Sequence, residues 1–344
     1  MLEIDGCYGE GGGQLVRTAV ALAAITGNPV TITNIRAKRA NPGLAAQHLT
    51  AVSAVAALCD AEVDELALKT QRLAFRPRRL RGGDFQFDVG TAGSVTLVLQ
   101  ALLPAMIHSG ERVRVNIIGG TDVRAAPPFD YFQHVLLALL SRMGARVRGE
   151  LKRRGYYPRG GGEVAVVVDP CTLHALQLDR AGKLKALSGN SHVANLPGHI
   201  VERMRSAAIA PLLRFGVSEP TINTRVLGND QAYGQGGAIV LWAETEHSVL
   251  GAGRVAQRGV RAEPLGTEAG AELAADLGAG VALDIHASDQ LLIYLALAGG
   301  TSRVTARVLS SHAQTTIWLI EQFLPVRFET VSCGDMISIA MRSI

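Results

Sequence analysis

Lysine, cysteine and aromatic residues are all scarce in this chain of 344 residues. Its four cysteines, Cys7, Cys59, Cys171 and Cys333, show no C-x-x-C spacing, which argues against structural zinc and against a disulfide framework. Reduced thiols are typical of a cytoplasmic protein, and cytoplasmic is the location we expect. No apolar run is long enough to span a bilayer, and no export signal is visible, so no membrane association is expected.

Because lysine is scarce, most of the basic residues are arginines. Five of the 34 basic residues are lysines and the other 29 are arginines, within a net charge of +4. Arginine makes forked hydrogen bonds to phosphate and stacks on bases, so the bias suits a nucleic-acid or nucleotide partner. A GC-rich genome explains the same bias equally well, and composition leaves the two explanations open.

A glycine run near the start, in "YGEGGGQLVR" from Tyr8 to Arg17, also lacks a lysine. The P-loop pattern is therefore excluded. The run either exposes backbone N–H groups to an anion at a helix start or forms a tight strand-to-helix turn. Glu10 before it would repel a phosphate unless a divalent metal lay between them, and it is equally suited to a helix N-terminus.

A threefold repeat organises the rest of the sequence. Small-residue loops leading into apolar helices occur at 9–27, 90–110 and 287–300, and alternating strands follow at 29–36, 112–120 and 302–310. Second helices with further strands follow at 41–66, 127–151 and 311–330. The strands "DFQFDVG" and "EVAVVVD" precede the first helices of the second and third units. The predicted unit is strand–helix–strand–helix–strand.

Unequal spacing between the units predicts an insertion. Thr31 and Val113 are less than half as far apart as Val113 and Val304, which leaves room for a small domain in the third unit. The expected fold is therefore α/β with α+β layers, in three pseudo-symmetric βαβαβ-type repeats. We expect residues 1–182 plus 281–344 to form the three-repeat domain and 183–280 to form a small inserted α/β domain.

Equivalent loops of such repeats are expected to converge and to gather carboxylates, arginines and backbone donors. The candidates are Glu10, Gln14, Gly93, Ser94, Ser288, Asp289 and Gln290, with Arg36, Arg39, Asp122, Arg124, Ser310, Ser311 and His312 from the loops after the next strands. This set suits nucleotide phosphates and a divalent metal. The basic segments 76–83 and 151–162, the latter with Tyr156 and Tyr157, are either polynucleotide contacts or solvated loops.

His312 is the candidate nucleophile of this set. It lies just beyond a strand and at the start of a helix, after two serines. A neutral imidazole attacks phosphorus competently and forms a labile P–N bond. A lone histidine is nevertheless often structural, so position alone leaves the role open.

Several motifs together closely resemble the RNA 3′-terminal phosphate cyclase family. They are "DGCYGEGGGQLVRTAVALAAITGNPV", "RGGDFQFDVGTAGSVTLVLQALLPA", "GGTDVRAAPP", "YYPRGGGEV", "ASDQLLIYLALAG" and "SSHAQTTIWLIEQFLPVRF". The resemblance runs from Ile4 to Phe328 in the family's order. It implies three repeats like the C-terminal domain of translation initiation factor 3, with an inserted domain. It also implies ATP-dependent conversion of an RNA 3′-phosphate into a 2′,3′-cyclic phosphodiester through histidine–AMP, releasing AMP and pyrophosphate.

The resemblance further implies roles for individual residues. His312 would be the nucleophile, and Glu10 the ligand of Mg²⁺ or Mn²⁺ beside the ATP phosphates. The remaining residues implied in ATP binding are Gln14, Arg17, Arg36, Arg39, Gln47, Gln100, Pro128, His286, Ala287, Ser288, Asp289 and Gln290. His286 stands where relatives often carry tyrosine. The partner implied is an RNA with a 3′-phosphate end, and no protein partner is evident.

Two alternatives compete with an active cyclase. The first is a non-catalytic protein of the same fold that serves RNA processing or ribosome assembly, but such relatives have altered the histidine and much of the nucleotide site. The second is an enolpyruvyl transferase on a related repeat architecture. That reaction needs lysines for a compact anionic substrate, and the sequence has few.

Overall fold

The computed structural model describes residues 1–64, 66–215 and 220–344. Glu65 and residues 216–219, which belong to the predicted segments 41–66 and 183–280, lie outside the described residues. Helices and four mixed sheets alternate along the described ranges, so the mixed α/β class is confirmed. None of the helices in those ranges combines the length and apolar character needed to cross a membrane.

The first sheet contains four short strands with two helices between them. Its elements are β1 (Leu2–Asp5), α1 (Gly13–Thr26), β2 (Val30–Thr33), α2 (Ala46–Cys59), β3 (Glu62–Asp64) and β4 (Leu73–Arg76). β1 and β2 are parallel, whereas β4 is antiparallel to both β2 and β3. The resulting strand order is β1-β2-β4-β3.

The second sheet repeats this order with longer strands. Its elements are β5 (Gly83–Asp88), α3 (Val95–His108), β6 (Val113–Gly119), α4 (Phe129–Tyr131), a π-helical turn (Phe132–Leu136), α5 (Leu137–Arg142), β7 (Arg146–Gly155) and β8 (Gly162–Asp169). β5 and β6 are parallel, and β8 is antiparallel to β6 and β7. The segment β9 (Gln177–Leu178) follows and belongs to another sheet.

A third sheet with its own helices comes next in the chain. Its region comprises β10 (Leu184–Ala194), α6 (His199–Ile209), a 3₁₀ turn (Ala210–Phe215), β11 (Thr221–Leu227), β12 (Ala232–Tyr233), β13 (Gly236–Thr245), β14 (Val249–Val255) and α7 (Ala262–Ala279). The sheet order is β11-β10-β13-β14, while β12 pairs with β7 of the second sheet. Apolar residues of α6, α7 and this sheet form a cluster separate from the main core.

The last sheet again shows the order of the first two. It is formed by β9, α8 (Ile285–Leu297), β15 (Thr301–Ala306), α9 (Ser311–Phe323), β16 (Val326–Cys333) and β17 (Met336–Ser343). β9 and β15 are parallel, and β17 is antiparallel to β15 and β16, giving β9-β15-β17-β16. Three sheets therefore share one order and one set of strand directions.

The assignment of "EVAVVVD" to the third unit is wrong. This segment is β8, which completes the second sheet, and the two-residue strand β9 opens the last one. Each unit thus has four strands rather than three and ends in an antiparallel pair. Alternation of apolar and polar residues identifies a half-buried strand but does not say which neighbour it pairs with.

The helices pack against one another inside the molecule and bring their starts close together. α1 is apolar on most sides, is almost wholly buried, and ends at Gly27 in the left-handed conformation. It packs against α2, α3 and α9, and α8 contacts α3 and α9. The loops that enter α1, α8 and α9 therefore meet at one place.

Candidate active site

The loop that enters α1 runs along the first two turns of α9. Gly9 adopts a left-handed backbone with φ of 56°, and a Cβ there would collide with the Thr315 hydroxyl. Only glycine combines this backbone with this close approach. A tight turn is thus present at Gly9, just before the glycine run, and it carries Glu10 to the start of α9.

Glu10 joins an arginine and the candidate nucleophile. Its Oε2 lies 2.8 Å from His312 Nδ1, and its Oε1 accepts a hydrogen bond from Arg39. Oε2 is buried and accepts no aligned hydrogen bond from the described residues. The predicted meeting of Glu10, Arg39 and His312 is thus found, although Glu10 and His312 lie near opposite ends of the sequence.

The serine before α9 fixes the position of His312. The Ser310 hydroxyl accepts a hydrogen bond from the Ala313 N–H at 2.9 Å and donates one to Asp289 Oδ1 at 2.5 Å. It therefore caps α9 and ties its start to α8. His312 is the second residue of α9, and its side chain is about half exposed (46%).

His312 opens onto a cavity of about 470 Å³, a size suited to a nucleotide. The predicted ATP-site residues that line it, together with His312 and Arg124, are Gln14, Arg17, Gln100, Pro128, His286, Asp289 and Gln290. Arg36, Arg39 and Gln47 lie beyond its walls. Ala287 and Ser288 do not reach the cavity, because both are buried on the other side of α8.

Arg17 brings a positive charge to the cavity wall. Its Nη2 donates to Gln100 Oε1 at 3.3 Å, while its buried Nε finds no acceptor among the described residues. Burial lowers the pKa of Arg17 to about 10, so it remains charged at neutral pH. Gln14, one turn earlier, donates to Thr316 Oγ1 at 2.8 Å. An unsatisfied buried guanidinium is well placed to meet an anionic ligand.

A histidine that sequence reasoning missed supports this wall. His48 is buried, its Nδ1 accepts from the Ala45 N–H at 3.0 Å, and its ring lies so close to Gly13 that any Cβ there would collide with it. Burial, with Arg17 and Arg36 nearby, lowers the pKa of His48 to about 3 and keeps the ring neutral. The neighbouring Gln47 accepts a hydrogen bond from the Ser94 N–H at 3.1 Å.

Arg36 takes a supporting position in the structure. It has a left-handed backbone with φ of 52°, and its Nη1 donates to the Gly43 carbonyl at 2.6 Å. Burial, reinforced by Arg39, lowers the pKa of Arg36. Arg36 therefore adds positive potential near the Glu10–Arg39 pair.

A buried carboxylate supports the part of the cavity wall that α8 forms. Asp284 caps α8: its Oδ1 accepts from Tyr131 Oη at 2.7 Å and from the His286 N–H at 2.9 Å, and its Oδ2 accepts from the Gly251 N–H at 2.8 Å. His286 meets the Tyr131 ring edge-on at 5.9 Å, and its Nε2 lies 3.4 Å from Glu272 Oε1. The ring of His286 is thus held by its own neighbours.

The inserted region supplies cavity residues that the sequence did not suggest. Gly253, Arg254, Gln257 and Glu268 all line the cavity, and Arg254 pairs with Glu268 at 3.2 Å. Nothing in periodicity or motif spacing connects them with α1 or α9.

Asp122 was expected among the site residues, but the structure places it outside the cavity, where it is buried and bound to Arg154. Tyr156 is buried as well, whereas Tyr157 is exposed.

Asp289 carries a pH-dependent contribution to stability. Burial raises its pKa to about 6, although Ser310 and His312 oppose the shift. The folded state therefore binds this proton more tightly than the unfolded chain, and the resulting stability is present below pH 3.8 and lost as the pH rises through 6. We expect the unfolding free energy, relative to that of Asp289→Asn, to fall by about 1 to 3 kcal/mol between about pH 4 and 7.

Urea unfolding of the two proteins across this pH range measures the difference. Asp276, whose pKa burial also raises to about 6, is present in both proteins, so its effect cancels. The exposed Asp335→Asn variant is the matched control and should retain the wild-type profile. Parallel profiles for wild type and Asp289→Asn would contradict the expectation.

Glu10 also suits a divalent cation, as one ligand among several. Its buried Oε2 has no aligned donor and lies beside His312, which lines the cavity. The described residues contain no cluster of three or more metal-ligating side chains. One carboxylate completed by substrate phosphate oxygens is a usual way for proteins to hold Mg²⁺. The residues present therefore fit a cation that arrives with a nucleotide.

Comparison with known proteins finds one family over most of the chain. A sequence model of the family "RNA 3′-terminal phosphate cyclase" matches residues 8–330. A protein of that name from Nitrosospira multiformis is 58% identical over 340 residues, covering 98% of this chain and 96% of its own. Those of Pyrobaculum neutrophilum (97% of this chain, 96% of its own) and Ignicoccus hospitalis (94% and 93%) are 46% and 47% identical.

Proposed function

Since the chain belongs to the RNA 3′-terminal phosphate cyclase family, we propose that it converts an RNA 3′-phosphate into a 2′,3′-cyclic phosphodiester with consumption of ATP. The observation that carries the proposal is the contact between Glu10 Oε2 and the Nδ1 of His312, a residue that lines the cavity. A carboxylate beside one ring nitrogen orients the imidazole and leaves the other nitrogen free.

The first step of the proposed reaction uses that free nitrogen. With the proton on Nδ1 directed to Glu10, the lone pair of His312 Nε2 attacks the α-phosphorus of ATP. An N–P bond forms, the bond from the α-phosphorus to the bridging oxygen breaks, and pyrophosphate leaves. Arg17, which lines the cavity, and Arg39, which is bound to Glu10, would balance the negative charge of the phosphates.

The second and third steps pass the adenylate on and close the ring. An oxygen of the RNA 3′-phosphate attacks the histidine-bound phosphorus, the N–P bond breaks, and a phosphoanhydride forms. The adjacent 2′-OH then loses its proton and attacks the RNA phosphorus, and AMP leaves. The ribose holds this hydroxyl beside the phosphate, so the attack is intramolecular and needs little additional positioning.

We propose that the predicted ATP-site residues divide between the two ends of ATP. Gln14, Arg17, Arg36 and Arg39 would serve the phosphates, with Gln47 and Gln100 fixing this wall by their hydrogen bonds. Pro128, His286, Asp289 and Gln290 would surround the adenosine. Ala287 and Ser288 would act from within α8 by supporting its first turn. Mg²⁺ or Mn²⁺ held by Glu10 would neutralise phosphate charge.

The shared order of the three sheets supports a related structural proposal. We propose that residues 1–182 plus 281–344 form three repeats resembling the C-terminal domain of translation initiation factor 3. Residues 183–280 would be an inserted domain, which their separate apolar cluster supports. The cysteines are unpaired, which suits the cytoplasm.

Product analysis tests the proposed function. An oligoribonucleotide with a 3′-phosphate should become resistant to phosphatase in the presence of ATP and Mg²⁺, with AMP and pyrophosphate released. The same oligonucleotide with a 2′-deoxy terminal nucleotide should stay sensitive, because ring closure needs the 2′-OH. Resistance of the deoxy substrate, or binding of RNA without any conversion, would overturn the proposal.

A further inference from the structure

Two aromatic side chains lie stacked at the surface beside the Glu10–His312 pair. Tyr8 and Trp318 have ring centroids 3.7 Å apart and planes 16° apart. Tyr8 is 42% exposed. The pair therefore presents aromatic surface to solvent on the loop and helix that carry Glu10 and His312.

The pair lies on a different face of α9 from the nucleotide cavity. His312 and Thr316 line the cavity and are four residues apart, which places them on one side of the helix. Thr315 contacts the Gly9 turn and Trp318 contacts Tyr8, on the neighbouring side. His312 therefore has the cavity on one side and the aromatic pair on the other.

Trp318 lies less than two turns of α9 beyond His312. Trp318 follows His312 by six residues, about 9 Å at about 1.5 Å per residue. A single ribose separates a nucleotide's 3′-phosphate from its own base. A 3′-phosphate held beside His312 would therefore bring the terminal base towards the Tyr8–Trp318 pair.

Positive side chains next to Tyr8 complement a polynucleotide backbone. Lys38 Nζ donates to the Cys7 carbonyl at 3.2 Å, directly before Tyr8, and Arg39 holds Glu10 directly after the Gly9 turn. Asp5 and Glu10 are carboxylates on this side, and Glu10 is paired with Arg39. The pKa of Asp5 is lowered first by the hydrogen bond from the Cys7 N–H and then by Asn34, and both of these donors bind its Oδ1.

We propose that the Tyr8–Trp318 pair is the stacking site for the 3′-terminal base of the RNA, with Lys38 beside its phosphates. This rests on the proposed function, since it assumes an RNA 3′-end at His312. Stacking on an aromatic ring accepts every base, because all bases have a π-face. The site would therefore hold the RNA end without selecting its sequence, while the 2′-OH provides the choice of RNA.

A binding titration without ATP tests the stacking site. Trp242, the other tryptophan, is changed to phenylalanine, so that Trp318 fluorescence reports the binding of a 3′-phosphorylated oligoribonucleotide. Tyr8→Leu keeps an apolar side chain against Trp318 but removes the second ring. We expect its Kd for this RNA to rise about 5-fold to 100-fold, the usual cost of one lost base stack.

An RNA lacking the terminal base separates stacking from support of the loop. The abasic RNA should bind the parent protein as weakly as the intact RNA binds Tyr8→Leu. Combining the abasic RNA with Tyr8→Leu should raise the Kd no further. If Tyr8 only supported the loop, Tyr8→Leu would weaken the binding of both RNAs by the same factor. Such additive losses of affinity would overturn the proposal. Val331→Ala, which shortens an exposed apolar side chain on β16, is the control and should bind both RNAs as the parent does.

The result of the binding titration can be told apart from a failure of the proposed function. The titration contains no ATP and measures binding alone, so it gives a result even when the product assay shows no cyclic end. Additive losses together with normal cyclisation would remove only the stacking site.

Discussion

Replacement of His312 by alanine is expected to abolish transfer of label from α-labelled ATP to the protein, with a loss of about 10³-fold or more. The loss should be this large because the side chain forms the covalent bond, and no other described histidine lies against Glu10. His48 is buried behind Gly13 with its Nδ1 occupied, so it cannot substitute. The wild-type label should be labile in acid and stable in base, as a P–N bond requires.

The measurement is label retained on the protein after denaturation. His199→Ala, which removes an exposed histidine at the start of α6, is the matched control and should take up label at the wild-type rate. Equal label in His312→Ala, or label that survives acid, would exclude His312 as the nucleophile. Binding of ATP to His312→Ala, measured by calorimetry, should persist because the cavity walls remain.

Loss of Arg154 is expected to lower the unfolding free energy by about 3 to 5 kcal/mol. Arg154 Nη1 contacts both oxygens of Asp122 at 3.1 and 3.0 Å, and Nη2 contacts both oxygens of Asp130 at 2.9 and 2.7 Å. All three groups are buried. Arg154→Met keeps the volume but leaves two buried carboxylates without their partner, which is the most costly way to break such a cluster.

Several elements depend on this cluster. Asp122 follows β6, Asp130 lies in α4, and the Arg154 N–H donates to the Gln231 carbonyl beside β12. Burial alone would lower the pKa of Arg154, but the two carboxylates outweigh it and raise that pKa. Lysine cannot contact both carboxylates in this forked way, so Arg154→Lys should restore only a small part of the stability.

Urea unfolding measures the loss, with an exposed ion pair as the control. Arg203 binds Glu263 at 2.6 Å with both side chains nearly half exposed, and Arg203→Met should change the unfolding midpoint little. Adding Asp122→Asn and Asp130→Asn to Arg154→Met should recover part of the stability, because the unpaired charges are removed. A loss no greater than that of Arg203→Met would show that the cluster contributes little.

Local sequence is sufficient for features that depend on neighbours along the chain. The apolar helices α1, α3 and α8 and the strands after them follow from periodicity, and so does the repeated order of these elements. The motifs around Glu10 and His312 indicate the family, which the comparisons confirm. Such features depend on a few adjacent residues, so they can be predicted from the sequence alone.

Pairings between distant segments cannot be obtained in this way. The alternation in β8 predicts a strand but assigns it to the wrong sheet, because alternation fixes a face and not a partner. Asp122 has the composition of a site residue, yet Arg154 holds it away from the cavity. The cavity residues of the inserted region, such as Arg254, show no signal at all in the sequence.

The linear pattern of residues therefore specifies the helices, the repeated order and the chemical groups available. Which of these groups meet depends on the packing of the folded chain. Glu10 lies 2.8 Å from His312 because a glycine turn fits against Thr315, and Tyr8 reaches Trp318 through the same turn. Contacts of this kind join segments near opposite ends of the sequence, and no local preference of the chain encodes them.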